Sequence, residues 1–380
     1  MSIPYLRVPP PSTPDRARMA RSDKADRTVG YLEEGCAEPL RLADRIDVDE
    51  LVCGLVFSDA RWRHRVGKVR TFMGGRGLSG DGVEYLPVRY GAIPRLFESG
   101  LLAVDVAYVQ TDADLTLGVH SGYMESVLSV ARSVVVERNR AMPSVRGAPR
   151  VERPSVVVDS DRPLIEVPRR RASDVDVAIA ENVLTLVPSG ATIEVGLGAL
   201  PDAVLLLLAG KRTGLRFFSG MLGDSIIELA SSGALADDEL VTTTLIGTAP
   251  LFAWAASEPR LRLAPATEVH SVANLSRIDG FVALNSALEV DVTGQVGAEE
   301  VDGRRLSGLG GQADFAAGAT LAPGGRSIIA LPASRIVDQL SGPVSTPRVD
   351  VGFVVTERGV ADLAGATLEE REARLRAVRA

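Results

Sequence analysis

The chain is short of the residues that staple or metallate small folds. It has two cysteines, Cys36 and Cys53, and three histidines. The cysteines lack the spacing of a metal knuckle or a disulfide framework, so both read as free thiols in a reducing compartment, and no metal is expected. Long apolar runs are missing as well. The nearest, "AVLLLLAG" at 203–210, is too short to cross a bilayer and reads as a buried helix. Positive charge is scattered, with a formal net charge of −7 and a pI near 5.3, which argues against a nucleic-acid partner. The N-terminus has prolines and mixed charges but no apolar signal-peptide core, so residues 1–28 read as a mobile leader and the protein as cytoplasmic, with no membrane attachment.

What is present is material for a large core. Of 380 residues, 46% are apolar and 24% charged, which suits two globular domains. Short Val/Leu/Ile-rich runs alternate with helix-sized segments, the pattern of parallel sheets covered on both faces. Expected strands include 66–74, 104–110, 133–138, 191–197, 215–219, 240–247, 281–290, 327–332 and 349–355. Expected helices include 39–45, 91–99, 122–132, 174–187, 200–210 and 225–231. Residues 143–172 are rich in proline and carry a basic run, so they read as a crossover between halves, 29–172 and 173–380. Ser173 followed by Asp176 makes a capping box that opens the next helix.

Two glycine features could hold an anion or a carbonyl. Gly196-Leu197-Gly198 follows a strand and precedes a helix, so its N–H groups could face a phosphate or a developing oxyanion. It lacks the third glycine of a dinucleotide fingerprint, and Pro201 removes a donor; a tight turn without ligand fits this stretch equally well. The second cluster, "SGLGGQADFAAGA" at 307–319, forfeits backbone entropy that close approach of a ligand would justify, and points to Gly308, Leu309, Gly310 and Gly311. The stretches 35–46 and 196–208 each set a glycine, then a proline, ahead of an apolar segment, a hint of duplication.

Several longer stretches carry a resemblance: "VEYLPVRYGAIPRLFESGLLAVDVAYVQ" (83–110), "NRAMPSVRG" (139–147), "GLGALPDAV" (196–204), "NSALEVDVTGQV" (285–296), "GLGGQADFAAGA" (308–319) and "STPRVDVGFVVTERGVADLAG" (345–365). In this order they are similar to the acetyl-CoA hydrolase/transferase family, which includes the 4-hydroxybutyrate and succinyl-CoA:acetate CoA-transferases. The resemblance implies two α/β domains of the CoA-transferase type with parallel-rich sheets, an acyl-CoA site in the cleft between them, a homodimer, and coenzyme A thioester as substrate with no tightly bound cofactor. Similar proteins form a glutamyl-CoA thioester, splitting the transfer into two easier steps. Laid on "FSGMLGDS" (218–225), the attacking glutamate falls on Gly220, which has no side chain.

Two histidines stand at other departures from the same pattern. His270 takes the place of an asparagine near the acyl carbonyl, and His120 that of a serine. Histidine suits proton transfer near neutrality, whereas a lone loop histidine is more often structural; for the pair the two readings balance. The expected role is acyl-CoA or acyl-thioester processing, by hydrolysis or transfer, without a glutamyl-CoA intermediate. His270, with His120 as partner, would activate water or an acceptor. The alternatives are a fold turned to condensation or cyclisation of a thioester-bound substrate, and a non-catalytic CoA-binding protein. Glu289 reads as a buried structural acid, with Asp291 exposed or turned to the opposite face.

Overall fold

The computed structural model of the chain describes residues 27–73, 78 and 81–379. Most of the leader expected at 1–28 lies outside these residues, as does the last position of the strand expected at 66–74.

Two large sheets dominate, and they are wound alike. The first runs, in spatial order, Val83–Tyr85, Val66–Thr71, Val48–Cys53, Val29–Leu32, Val106–Thr111, Ser133–Asn139 and Val156–Ser160, with every neighbouring pair parallel. The second runs Leu261–Leu263, Leu235–Leu245, Leu215–Leu222, Thr192–Val195, Phe281–Ser286, Arg326–Ala330, Phe353–Thr356 and Gly359–Asp362. Its pairs are parallel except the final antiparallel hairpin. In each sheet the first strand laid down is central, the next three step out to one side and the remainder to the other. The duplication hinted at by the glycine corners therefore has a counterpart in topology, because both corners leave that first strand.

Burial explains the strand composition. Val, Ile and Leu fill both faces, and helices Asp174–Leu184 and Ala199–Ala209 cover one face of the second sheet through Ile179, Val183, Leu200, Val204 and Leu208. The capping box at Ser173 and Asp176 is formed, its side chains and backbone N–H groups bonding reciprocally. Gly198, at φ 138°, supplies a turn that a side chain would strain, and it starts the second of these helices.

Three expectations need correction. The proline-rich crossover contains a strand, Val156–Ser160, which extends the edge of the first sheet; its run of three valines outweighs the flanking prolines. The strand expected over 281–290 stops at Ser286, and Glu289–Asp291 joins a separate three-stranded sheet. Asp291 is buried rather than exposed: its Oδ1 accepts hydrogen bonds from Thr293 N, Thr293 Oγ1 and Gln295 N, which fix the following turn. Glu289 has the structural role expected, accepting from Ser341 N and Oγ at 2.9 Å.

The halves lock together where the 307–314 segment crosses the first half. Tyr90 N donates to Gly310 O at 3.2 Å, Gly91 N to Asp314 Oδ2 at 2.9 Å, and Leu309 N to Tyr85 Oη at 2.9 Å. A Cβ at Gly308 would stand 2.5 Å from Phe72 O and 2.6 Å from Met73 Cα, both backbone atoms that cannot swing away. We expect Gly308→Ala to cost about 1–3 kcal/mol, read as a lower denaturation midpoint in urea. An unchanged midpoint would show that the two halves are not held at this point.

Candidate active site

In an open parallel sheet, ligands collect outside the carboxyl ends of the strands where the winding reverses. Here each sheet has one such point. In the first it lies between Val29–Leu32 and Val106–Thr111, in the second between Thr192–Val195 and Phe281–Ser286. Both open onto one cavity of about 80 Å³. Glu34 and Gly35 line it from the first sheet; Glu194, Gly196, Gly220 and Asn285 line it from the second.

Strand register explains why these residues meet. Glu194 lies beside Ala283, and Gly220 falls between the Ser219–Thr242 and Met221–Thr244 pairs, hence beside Thr243. With side chains alternating along each strand, Glu194, Gly220, Thr243 and Asn285 share one face. Asn285 Nδ2 donates to Glu194 Oε2 at 3.1 Å, and Thr243 Oγ1 donates to the carbonyl of Gly220.

The ring of His270 closes this face. It is held between Tyr90, at 4.4 Å between ring centroids, and Phe315, at 4.6 Å. A Cβ on Gly220 would lie 2.9 Å from both His270 Cε1 and Nε2, and one on Gly311 would lie 2.3 Å from Cε1. The strand tip at Gly220 is thus filled: the imidazole occupies the space a side chain there would need. His270 is 5% exposed, and neither ring nitrogen has a hydrogen-bond partner among the described residues. Asp314 Oδ2 stays 3.8 Å from Nδ1. Burial lowers its pKa to about 3, so the ring is neutral at pH 7. A buried imidazole with both nitrogens unsatisfied costs about 1–3 kcal/mol unless something that enters the cavity binds it.

Two carboxyl groups that the sequence reading overlooked line the same cavity. Glu194 is buried without a cationic partner among the described residues, and desolvation raises its pKa to about 8. Glu34 accepts from Leu55 N at 2.7 Å and from Tyr90 Oη at 3.3 Å, and burial raises it to about 7. An acid inside the apolar run "ATIEVGL", and the pair in "YLEEG" at the end of a strand, were the signals available.

His120 does not reach the cavity wall. Its segment extends the second sheet, where residue 120 bridges Thr244 and Gly122 bridges Pro265. Its Nε2 is 3.5 Å from Glu34 Oε1 and its Nδ1 is 3.7 Å from Glu33 Oε1, and burial lowers its pKa to about 4. The neutral ring thus stands behind Glu34. Of the glycine-cluster residues, Gly196, Gly310 and Gly311 line the cavity. Gly308 and Leu309 are engaged in the contact between halves, Leu197 packs over Gly223, and Gly198 turns the chain into its helix.

The family model for the acetyl-CoA hydrolase/transferase C-terminal domain matches residues 247–379. The chain is 34% identical over 311 residues to the 4-hydroxybutyrate coenzyme A transferase of Clostridium kluyveri, covering 76% of this chain and 72% of that protein. It belongs to the acetyl-CoA hydrolase/transferase family. The crystal structure of RipA from Yersinia pestis superposes with a TM-score of 0.84 at 26% identity, over 93% of this chain and 91% of that one. A 4-hydroxybutyrate CoA-transferase from Porphyromonas gingivalis gives 0.77 at 27% identity, over 96% and 93%. The CoA-transferase fold expected from the sequence is the fold observed. Within this family the chain presents, at the strand position discussed above, an imidazole pressed against a glycine.

Crowding at that contact is measurable. We expect Gly220→Ala to cost about 1–3 kcal/mol by forcing the ring aside. Combining it with His270→Ala should recover part of that loss, with a coupling of at least about 0.5 kcal/mol in a double-mutant cycle. Strict additivity would mean that the two residues do not compete for space.

Proposed function

We propose that the protein hydrolyses acyl-CoA thioesters in the cleft between its halves, by direct attack of water. The observation that carries this reading is the imidazole pressed against Gly220. No carboxylate projects from that strand tip, and none could be accommodated without expelling the ring, so a glutamyl-CoA thioester does not form there. Hydrolysis needs a hydrogen-bonding group for water, a polarising group for the carbonyl and room for the acyl chain. The neutral His270 ring supplies the first through an unpartnered nitrogen. Backbone N–H groups near Gly196 and Gly311 supply the second. His120 acts through Glu34 as a positioning residue. Coenzyme A is bound as substrate, its pantetheine running along Gly196 and Gly310, and a cavity of about 80 Å³ suits a short acyl group. Condensation on a thioester-bound substrate and simple CoA binding have no structural feature in their favour.

Hydrolysis releases a thiol that a chromogenic disulfide reports directly. We expect release of CoA from acetyl- or propionyl-CoA without an added acceptor carboxylate, and little from palmitoyl-CoA. Intact mass after incubation should show no covalent CoA adduct, and His270→Ala should lower kcat at least tenfold. A CoA adduct on a glutamate, or turnover only when an acceptor carboxylate is added, would replace hydrolysis by transfer.

A further inference from the structure

The cavity holds a pair of acids, Glu34 and Glu194, that have been given no step in the proton transfers, and their placement gives them one. Glu194 sits on the central strand of the second sheet, two residues before its glycine corner. Glu34 immediately precedes Gly35 at the corner of the first. They therefore approach the same volume from opposite halves, each at the reversal of its sheet. Nothing in the packing requires a carboxylic acid at position 194. The hydrogen bonds its carboxyl accepts, from Asn285 Nδ2 and the Leu284 backbone, could be accepted equally by an amide oxygen, and its neighbours on the strand are Thr192, Ile193 and Val195. A buried acid without a cation is costly to ionise, so it is kept as a protonated, donating group.

We propose that Glu194 is the general acid that protonates the departing sulfur of the thioester, and that Glu34 is the base that takes the proton of the attacking water. The assignment rests on the hydrolase reading. In the first step the water oxygen bonds to the thioester carbonyl carbon, one water proton passes to the Glu34 carboxylate, and the carbonyl π pair moves onto oxygen. In the second step that pair re-forms the carbonyl and the C–S bond breaks. Its electrons stay on sulfur, which takes the proton of Glu194. A carboxylic acid and the CoA thiol leave, and one proton returns from Glu34 to Glu194 through solvent to restore both groups.

The two acids are poised in the order this needs. Glu34, at about 7, is substantially ionised near neutrality, while Glu194, at about 8, is still mostly protonated. The titratable groups facing Glu34 are Glu33, Glu38, Cys53, His120, Tyr31, Tyr90 and Tyr123, and burial raises the Cys53 thiol so that it stays protonated. Burial keeps Glu33 and the tyrosines protonated and His120 neutral. Burial also raises Glu38, though hydrogen bonds from Phe57 and Ser58 and the nearby Arg162 oppose the shift. Across the cavity from Glu194 stand His270, neutral, and Asp314 behind it, raised to about 6. Asp314 titrates below both acids and faces His270 rather than the reacting carbon.

The test is the pH profile of kcat/KM for acetyl-CoA cleavage by the full chain, for wild type and for two near-isosteric variants. Wild type should show a bell with its maximum between the two acids. Glu194→Gln should lower kcat about 10²-fold or more with little change in KM, and should remove the alkaline limb. Glu34→Gln should remove the acid limb. The leaving group separates acid catalysis from a merely structural loss: thiophenolate departs as the anion without taking a proton, so Glu194→Gln should lose far less on S-phenyl thioacetate than on acetyl-CoA. Equal losses on both thioesters, or an unchanged alkaline limb, would overturn the assignment of Glu194 while leaving the hydrolase reading intact. A wild-type protein that releases no CoA from any acyl-CoA would overturn the hydrolase reading itself.

Discussion

Space beside one imidazole governs the candidate active site. The His270 ring fits only because residues 220 and 311 have no side chains and because Tyr90 and Phe315 grip its faces. Aromatic contacts of this kind are each worth about 0.5–1.5 kcal/mol, enough to offset part of the cost of burying an imidazole whose nitrogens bond nothing. The arrangement is exclusive in both directions. A side chain at 220 expels the ring, and the ring forbids a side chain at 220. Tyr90 comes from the first half, whereas Gly220, His270, Gly311 and Phe315 come from the second, so the same contact that shapes the site also ties the halves together.

That tie explains the polarity of the cavity. Closing two sheets end to end over their reversal points removes water from groups that strand geometry forces inward. The first half presents Glu33, Glu34 and Glu38 at the end of its central strand, and all three are buried. The second half presents Glu194. In low dielectric such groups keep their charge only with a partner of opposite sign or several donors. Glu137 has such a partner, Arg162, at 2.7 Å; Glu194 has an asparagine. The outcome is a site where acids are neutral or half-ionised and imidazoles are uncharged, which is the condition for proton transfer in either direction at neutral pH.

How much of this could be read from the sequence follows from the range of each interaction. The alternation of Val/Ile runs with helical segments disclosed the parallel sheets, because burial on both faces writes an unbroken apolar signature. The Ser173 capping box and the 225–231 helix were legible for the same local reason. Strand Val156–Ser160 was hidden by flanking prolines, and Val29–Leu32 by its brevity. At the site, His270 was visible as a departure from a recognisable pattern and the 310–311 glycines as part of that pattern, but that the ring would fill the space above Gly220 was not. The contact joins residues fifty positions apart through a fold, and no local pattern records it. Glu34 and Glu194 were overlooked because a carboxylate in a strand reads first as a surface residue; only the register and the closure of the halves turn it inward. His120, expected as the partner of His270, stands instead behind Glu34, because its segment is held against the second sheet.

The same burial sets stability against function. Unfolded, Glu34 and Glu194 ionise near 4.5; folded, they hold their protons to about 7 and 8. The folded state therefore binds protons that the unfolded chain has released, and the contribution of these groups to stability is largest below about pH 4.5 and falls as pH rises through the folded values. His120 and His270 act in the opposite sense. Their folded pKa values of about 4 and 3 lie below 6.5, so the unfolded chain is the better proton acceptor between, and their contribution is lost as pH falls through that window. Near neutrality Glu194, and about half of Glu34, are held in the form the unfolded chain disfavours, a strain that the apolar cores of both sheets must offset. Acids retained at such expense, next to a ring with unsatisfied nitrogens and a glycine tip with no room for a side chain, are hard to explain as packing, because apolar residues of the same size would serve packing better.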